Sequence, residues 1–239
     1  MTTYIVIPTY NEAENLPQMT SALFSLPLSG LRILIVDDNS PDGTGEIADK
    51  IAEEKDGSVS VIHRQGKLGL GTAYLTGFQR ALDRGAERIV QMDADFSHNP
   101  RRVIDLLEGL NQADMVLGSR YVKGGRLDET WPIWRKWLSA FGNLYARTIL
   151  GVPVRDITGG FRAWKRGTLE ALPFNRVKSE GYAFQVEMAY LAHLMGFTIE
   201  EVPIYFADRK EGASKMSFQI QFEAALRVWS ILMDYRDIR

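Results

Sequence analysis

The 239-residue chain has no cysteine, which removes structural disulfides, zinc–thiolate sites and thiol nucleophiles together and fits a reducing compartment. It has no excess of one charge either. Lys and Arg number 28 and Asp and Glu 30, a formal net charge of −2, so no global basic field exists to recruit nucleic acid and any anion site has to be local. Histidine is scarce: His63, His98 and His193 join no readable Ser–His–Asp set, and hydrolase chemistry has no visible nucleophile. Uncharged apolar runs of about 20 residues, the length a spanning helix needs, do not occur. The nearest, 131–150 and 217–234, are broken by Arg and Lys or by Glu and Arg. Met1-Thr2-Thr3-Tyr4 leads into an apolar run without a charged leader, so no secretory signal is expected. No G-x-x-x-x-G-K-[ST] loop is present, and Lys67-Leu68-Gly69-Leu70-Gly71 follows the third apolar run, where a dinucleotide fingerprint would follow the first.

What is present is an ordinary globular composition, 45% hydrophobic and 24% charged, with a rhythm. Short β-branched runs at Tyr4–Ile7, Arg32–Asp37, Val59–His63, Arg88–Met92 and Met115–Ser119 are nearly continuously apolar, as strands covered on both faces are. Helical patterns near Glu12–Ser25, Thr44–Glu54, Gly71–Arg84 and Pro100–Asn111 separate them, the last opened by Asn99-Pro100 as N-cap and first residue. The alternation predicts an α/β fold with a mostly parallel central sheet and helices on both faces. After Ser119 come a Gly-rich loop, a Trp-rich amphipathic helix (Trp134–Ile149), a glycine turn at Gly159-Gly160, a helix Ala183–Met195, a strand Thr198–Ile204 and a last helix Ser217–Tyr235. With no linker between the halves, residues 1–239 are expected to form one domain: 1–122 the nucleotide-binding half, 123–239 the acceptor-binding half with amphipathic helices.

Ligands of such sheets bind beyond the carboxyl ends of the strands, and there the acids gather. Asp93 and Asp95, two apart in extended chain, point to one side and can present hard oxygens to one divalent cation, Mg²⁺ or Mn²⁺, bridging a diphosphate. Asp37-Asp38 admit two readings: acceptors for base or ribose donors, or the start of an Asp-Asn-Ser-Pro turn ahead of Thr44. Cations cluster at Arg120, Lys123 and Arg126, at Arg135-Lys136, and in Arg209-Lys210-Glu211-Gly212-Ala213-Ser214-Lys215; solvated faces look like this, and so does a phosphate-monoester cleft. Trp134, Trp137, Leu138, Phe141 and Tyr145 share a helix face beside Arg135, Lys136 and Arg147, a composition that suits either a core or a membrane interface. The last helix, with Phe218, Phe222, Leu226, Trp229 and Met233, reads first as core or oligomer contact.

The ordered segments Val6-Ile7-Pro8-Thr9-Tyr10-Asn11-Glu12, Val36 to Thr44, Met92 to Pro100 and Gly118-Ser119-Arg120-Tyr121-Val122 resemble family 2 glycosyltransferases of the GT-A fold. Gly124-Gly125, Trp131-Pro132, Arg135-Lys136 and the late basic segment are similar, within that family, to dolichol-phosphate (polyprenol-phosphate) mannose synthases. The resemblance implies an inverting transfer of mannose from GDP-mannose to a polyprenyl or dolichyl phosphate. It implies that Pro8, Tyr10, Glu12, Val36 and Asp38 hold the guanosine, and that Asp93, Ala94 and Asp95, with Arg135, hold the diphosphate and metal. Arg120, Ser139, Arg209 and Lys215 are implied for the lipid phosphate, Asp93, Asp95 and Arg120 for catalysis, and Asp95 and Ser97 for the metal; Ser97 stands where some relatives carry Gln. Relatives with C-terminal transmembrane helices exist, and this chain resembles the short class. It is therefore expected at the cytoplasmic face of a membrane, docked peripherally on the surface or on a separate transmembrane partner protein. A glucosyl- or other sugar-nucleotide transferase of the same fold, and a noncatalytic sugar-nucleotide-binding module, are the competing readings.

Overall fold

Continuously apolar strands can hide both faces only inside a covered sheet, and the runs of the first half lie there. The computed structural model describes residues 1–208 and 218–238. Its strands β1 (Thr3–Thr9), β2 (Leu31–Asp37), β3 (Val59–His63), β4 (Arg88–Gln91) and β5 (Met115–Ser119) match the predicted runs within a few residues. Helices α1 (Leu16–Phe24), α2 (Thr44–Glu54), α3 (Leu70–Asp83) and α4 (Val103–Gly109) connect them, and Asn99 caps the 3₁₀ turn before α4 by accepting the Arg101 amide at 3.0 Å. The second half adds β6 (Arg126–Leu127), α5 (Ile133–Leu150), β7 (Arg162–Lys165), α6 (Arg166–Ala171), α7 (Gly181–Leu194), β8 (Ile199–Pro203), β9 (Tyr205–Phe206) and α8 (Phe218–Asp234).

The main sheet runs β3-β2-β1-β4-β7-β5-β8, and β6 and β9 form a short parallel ribbon. Only β7 is antiparallel, wedged between β4 and β5, with Gln91 and Leu117 both opposite Arg162. Sequence reading misses β7. Four residues, Arg-Ala-Trp-Lys, carry no usable period, and the strand exists because β4 and β5 bond it from both sides.

One face packs Val6, Val36, Leu117 and Trp164 under Tyr74 and Phe78 of α3 and Phe184 of α7. The other packs Ile5, Ile35, Val90 and Val116 under Leu16 and Met19 of α1 and Leu106 of α4. The α3 backbone lies close on the sheet because Gly77 has no side chain: a Cβ there would stand 2.3 Å from Val6 Cγ1. This close seating sets how far α3 side chains reach over the strand ends. Among the described residues, no helix is long and apolar enough to cross a membrane.

Candidate active site

The carboxyl ends of β1, β2, β4 and β5 open onto one side, and the loops leaving them are stitched together. After β1, Asn11 and Ala13 donate their amides to Ser40 Oγ and Asp42 Oδ2, both at 3.1 Å, and Glu12 to Thr44 Oγ1 at 2.9 Å. Asn11 and Asn39 hold left-handed backbone in these turns, which Asn tolerates better than other side chains. Of the two readings of Asp37-Asp38, the turn is the one these bonds show: Asp37 accepts Ser40 N (3.0 Å), Ser40 Oγ (2.6 Å) and Thr9 Oγ1 (3.0 Å). Asp38 is buried against Arg64 (2.6 Å) and takes the amides of Leu68 and Gly69 at 3.0 and 3.2 Å, so it fastens the start of α3. Lys67 then lies 3.9 Å from the centre of the Tyr10 ring. Val36 departs from expectation: its side chain is sealed in the core, so it shapes the nucleoside side only through the strand it belongs to. Pro8, beside it in register, is half-buried at the strand end, and Glu12 accepts Asn15 Nδ2 at 2.9 Å.

After β4 the chain turns sharply through Asp93-Ala94-Asp95-Phe96-Ser97. Phe96 sits at φ 59°, a left-handed conformation that bulky side chains seldom adopt. Asp95 Oδ1 accepts the Ser97 amide (3.0 Å) and hydroxyl (2.6 Å), so Ser97, expected as a metal ligand, orients the Asp95 carboxylate. Ala94 packs its methyl into the core, and Asp93 Oδ1 accepts the Tyr74 hydroxyl at 2.8 Å. His98 is buried, stacked on Phe161 at 5.0 Å, and burial pushes its imidazole below the ordinary value, leaving a neutral ring whose Nδ1 faces the Asp93 amide at 3.5 Å. Its charged neighbours are Asp93, Asp95, Arg120 and Asp156, which places the end of β5 against the acidic turn.

Arg120 does not stand as an open phosphate anchor. Its Nε and Nη2 form a two-pronged bond to buried Asp156 at 2.7 and 2.6 Å, and Nη2 also reaches Thr158 Oγ1 at 2.9 Å. Burial alone would lower this guanidinium, and the Asp156 carboxylate beside it more than reverses the effect, so Arg120 stays charged. Breaking a buried pair by removing one partner costs about 3–5 kcal/mol. Asp156→Ala should therefore lower the thermal midpoint sharply; a midpoint equal to wild type would show that the clamp is dispensable.

In the second half of the chain, Arg135 stacks on Trp131 at 3.5 Å and sits 3.4 Å from Asp208, while Ser139 accepts the Tyr121 hydroxyl at 2.7 Å. Arg209 and Lys215 lie outside the described residues. Asp128 fastens the chain just before them, taking the Asp208 amide (3.0 Å) and the Tyr205 hydroxyl (2.9 Å).

Sequence reading overlooks a buried polar layer under the acidic turn. Gln91 Nε2 donates to Gln185 Oε1 at 2.7 Å, and fully buried Arg162 donates to the Gly159 and Ile157 carbonyls at 2.8 Å each. Burial pushes the Arg162 guanidinium down to about 9, and its Nη1 has no partner among the described residues. Gly160 lies over this layer, where a Cβ would stand 3.4 Å from Gln185 Nε2 and 3.8 Å from Asp93 Oδ2. A signal existed: Gln185 and Glu187 interrupt an otherwise apolar helix, and both are buried.

Among the described residues, no group of three or more His, Asp or Glu converges as a self-sufficient metal cage. Asp93 and Asp95 nevertheless fit a hard cation whose remaining ligands are water and phosphate oxygens, the usual arrangement for Mg²⁺ at a nucleotide.

A mostly parallel sheet with one reversed strand, an acidic turn after β4 and stitched loops over β1 and β2 make up the GT-A fold. The model for Glycosyl transferase family 2 matches residues 4–172, and the chain belongs to that family. It is a glycosyltransferase. It is 46% identical over 237 residues to an undecaprenyl-phosphate mannosyltransferase of Micrococcus luteus, covering 98% of this chain and 96% of the relative. It is 45% identical over 232 residues to a polyprenol monophosphomannose synthase of Mycolicibacterium smegmatis, covering 96% and 87%. A mannosyltransferase from Pyrobaculum calidifontis, solved with GDP-Man and Mn²⁺, shares the fold with a TM-score of 0.62 at 16% identity over 99% of this chain and 67% of that one.

Proposed function

We propose that the protein transfers mannose from GDP-mannose to a polyprenyl phosphate with inversion, as a single transferase domain whose first 122 residues hold the donor and whose remainder holds the acceptor. The observation that carries this reading is the end-to-end similarity to two polyprenyl-phosphate mannosyltransferases. Pro8, Tyr10, Glu12 and Asp38 line the guanosine side, and Arg135, Ser139, Arg209 and Lys215 receive the phosphates, with Arg120 shaping their side through Asp156. Asp95, with Asp93 beside it, would hold Mg²⁺ or Mn²⁺, which when bound neutralises charge on the departing diphosphate.

The acceptor explains why no histidine base is needed. A phosphate monoester has a second pKa of about 6, so near neutral pH its oxygen is already ionised. That oxygen forms the new bond to the anomeric carbon as the bond to the GDP oxygen breaks on the opposite face, giving the β-linked product. The protein's work is to align two anions and screen their repulsion.

The acceptor's lipid tail needs a bilayer. Ile133, Trp134, Trp137, Phe141 and Leu144 of α5 are more than half exposed, and Leu226, Trp229 and Met233 of α8 join them. The helices are bonded through Tyr145, which donates to Ala225 O (3.2 Å) and accepts from Trp229 Nε1 (2.9 Å). Both helices thus turn an apolar face outward, which favours peripheral docking on a membrane surface, while Val228 and Ile231, with Tyr235 just past its end, keep the other face of α8 in the core.

The test is purified protein with GDP-mannose, Mg²⁺ or Mn²⁺ and a short polyprenyl phosphate, with UDP-glucose in parallel. Metal-dependent mannosyl lipid from GDP-mannose alone is expected. Transfer only from UDP-glucose would overturn the donor, and nucleotide binding without transfer from either would favour the binding-module reading.

A further inference from the structure

We infer that Tyr74 is a positioning residue for the reaction: its hydroxyl fixes the Asp93 carboxylate against the donor. The inference rests on the proposed transferase reading and names a residue outside the motifs that carry it.

Tyr74 is completely buried, its ring stacked between Phe78 (centroids 5.8 Å apart, planes at 25°) and Phe184 (6.0 Å, 4°). Everything the core asks of this position is met by a phenyl ring. A buried hydroxyl is unfavourable unless it is bonded, and this one donates to Asp93 Oδ1 at 2.8 Å.

The reach of Tyr74 is set by how α3 is held. Asp38 takes the Leu68 and Gly69 amides, and Arg64 binds both Asp38 and Thr72 Oγ1, each at 2.6 Å. Gly71 lets the helix start pass the Ser179 carbonyl, 2.7 Å from where a Cβ would stand, and Gly77 presses the helix onto Val6. With the helix fastened at its start and along its length, the Tyr74 hydroxyl arrives at one place over the end of β4. The same helix therefore spaces Asp38 on the nucleoside side from Asp93 at the diphosphate-sugar end. With Oδ1 held inward, the plane of the carboxylate is set, and Oδ2 lies on the side of Gly160. A carboxylate left to rotate about its two side-chain torsions would have to be ordered in every turnover, whereas a charge-assisted bond orders it beforehand.

Tyr190 supplies the control. It is a buried tyrosine in the same core whose hydroxyl has no partner among the described residues, so Tyr190→Phe removes a hydroxyl from the interior without touching the site. The experiment compares wild type, Tyr74→Phe and Tyr190→Phe for transfer from GDP-mannose, for calorimetric affinity of GDP and of GDP-mannose with Mn²⁺, and for thermal midpoint. For Tyr74→Phe, kcat should fall roughly tenfold to a hundredfold, the span of one bond to a charged group. GDP affinity and midpoint should stay near those of Tyr190→Phe, and the preference for GDP-mannose over GDP should shrink. Transfer within twofold of wild type would overturn the inference, as would a parallel fall of midpoint and GDP affinity, which marks a purely structural hydroxyl. If wild type shows no transfer, the donor–acceptor reading fails separately, and an unchanged GDP-mannose to GDP affinity ratio in Tyr74→Phe would overturn the role of Tyr74 as well. Absence of any sugar-nucleotide binding by wild type would overturn both.

Discussion

Asp95→Asn should reduce metal-dependent transfer by about a thousandfold while leaving the protein folded. The side chain keeps its shape and the acceptor oxygen that Ser97 uses through both amide and hydroxyl, so the turn around Phe96 retains its bonds. What disappears is the negative charge at a buried strand end. Cation stabilisation of a departing diphosphate is worth several kcal/mol, and about 4 kcal/mol corresponds to roughly a thousandfold in rate. Asp95→Ala should abolish turnover too, but it also orphans the amide and hydroxyl of buried Ser97, so its loss would mix chemistry with folding. Steady-state transfer over a Mn²⁺ series, with a thermal melt of each variant, separates the two effects. Wild-type activity in Asp95→Asn would remove the acidic turn from the site.

Replacing Trp134, Trp137 and Phe141 together by Ser should release the protein from vesicles without unfolding it. These three side chains are 64%, 73% and 63% exposed, so little of the core depends on them. Full burial of one such side chain is worth about 2 kcal/mol, and realising half of that at an interface for all three gives roughly a hundredfold in partitioning. Co-sedimentation with anionic vesicles measures it directly. Transfer to a short, water-soluble acceptor should stay near wild type while transfer to a membrane-borne one falls; equal loss with both acceptors would mean that the face serves the site rather than the membrane.

The two predictions differ in what made them visible. The acidic turn is visible in local sequence as two carboxylates directly after an apolar strand; such acids often only cap or solvate a loop, and Asn99-Pro100, which already caps the helical segment beyond, is what sets Asp93 and Asp95 apart. The aromatic face of α5 was legible only as a periodic stripe, which a buried helix would show as well. Exposure decides between these meanings, and exposure depends on where α8 lies. Partners far away or behind a strained turn stay hidden from sequence: Asp156, 36 residues after Arg120, cannot be paired with it from spacing, and the bond from Ser97 back to Asp95 needs the left-handed Phe96.

By itself the sequence determined the parallel strands and their connecting helices, since unbroken apolar runs between helical patterns leave few other ways to hide backbone and side chains. It also placed acids and cations at the strand ends, since residue type and order carry them. Only the tertiary structure decided the placement of β7, the pairing of Arg120 with Asp156, the polar layer of Gln91, Arg162 and Gln185, and the grip of Tyr74 on Asp93. These contacts join residues far apart in the chain, and their partners are chosen by packing, which no local pattern encodes.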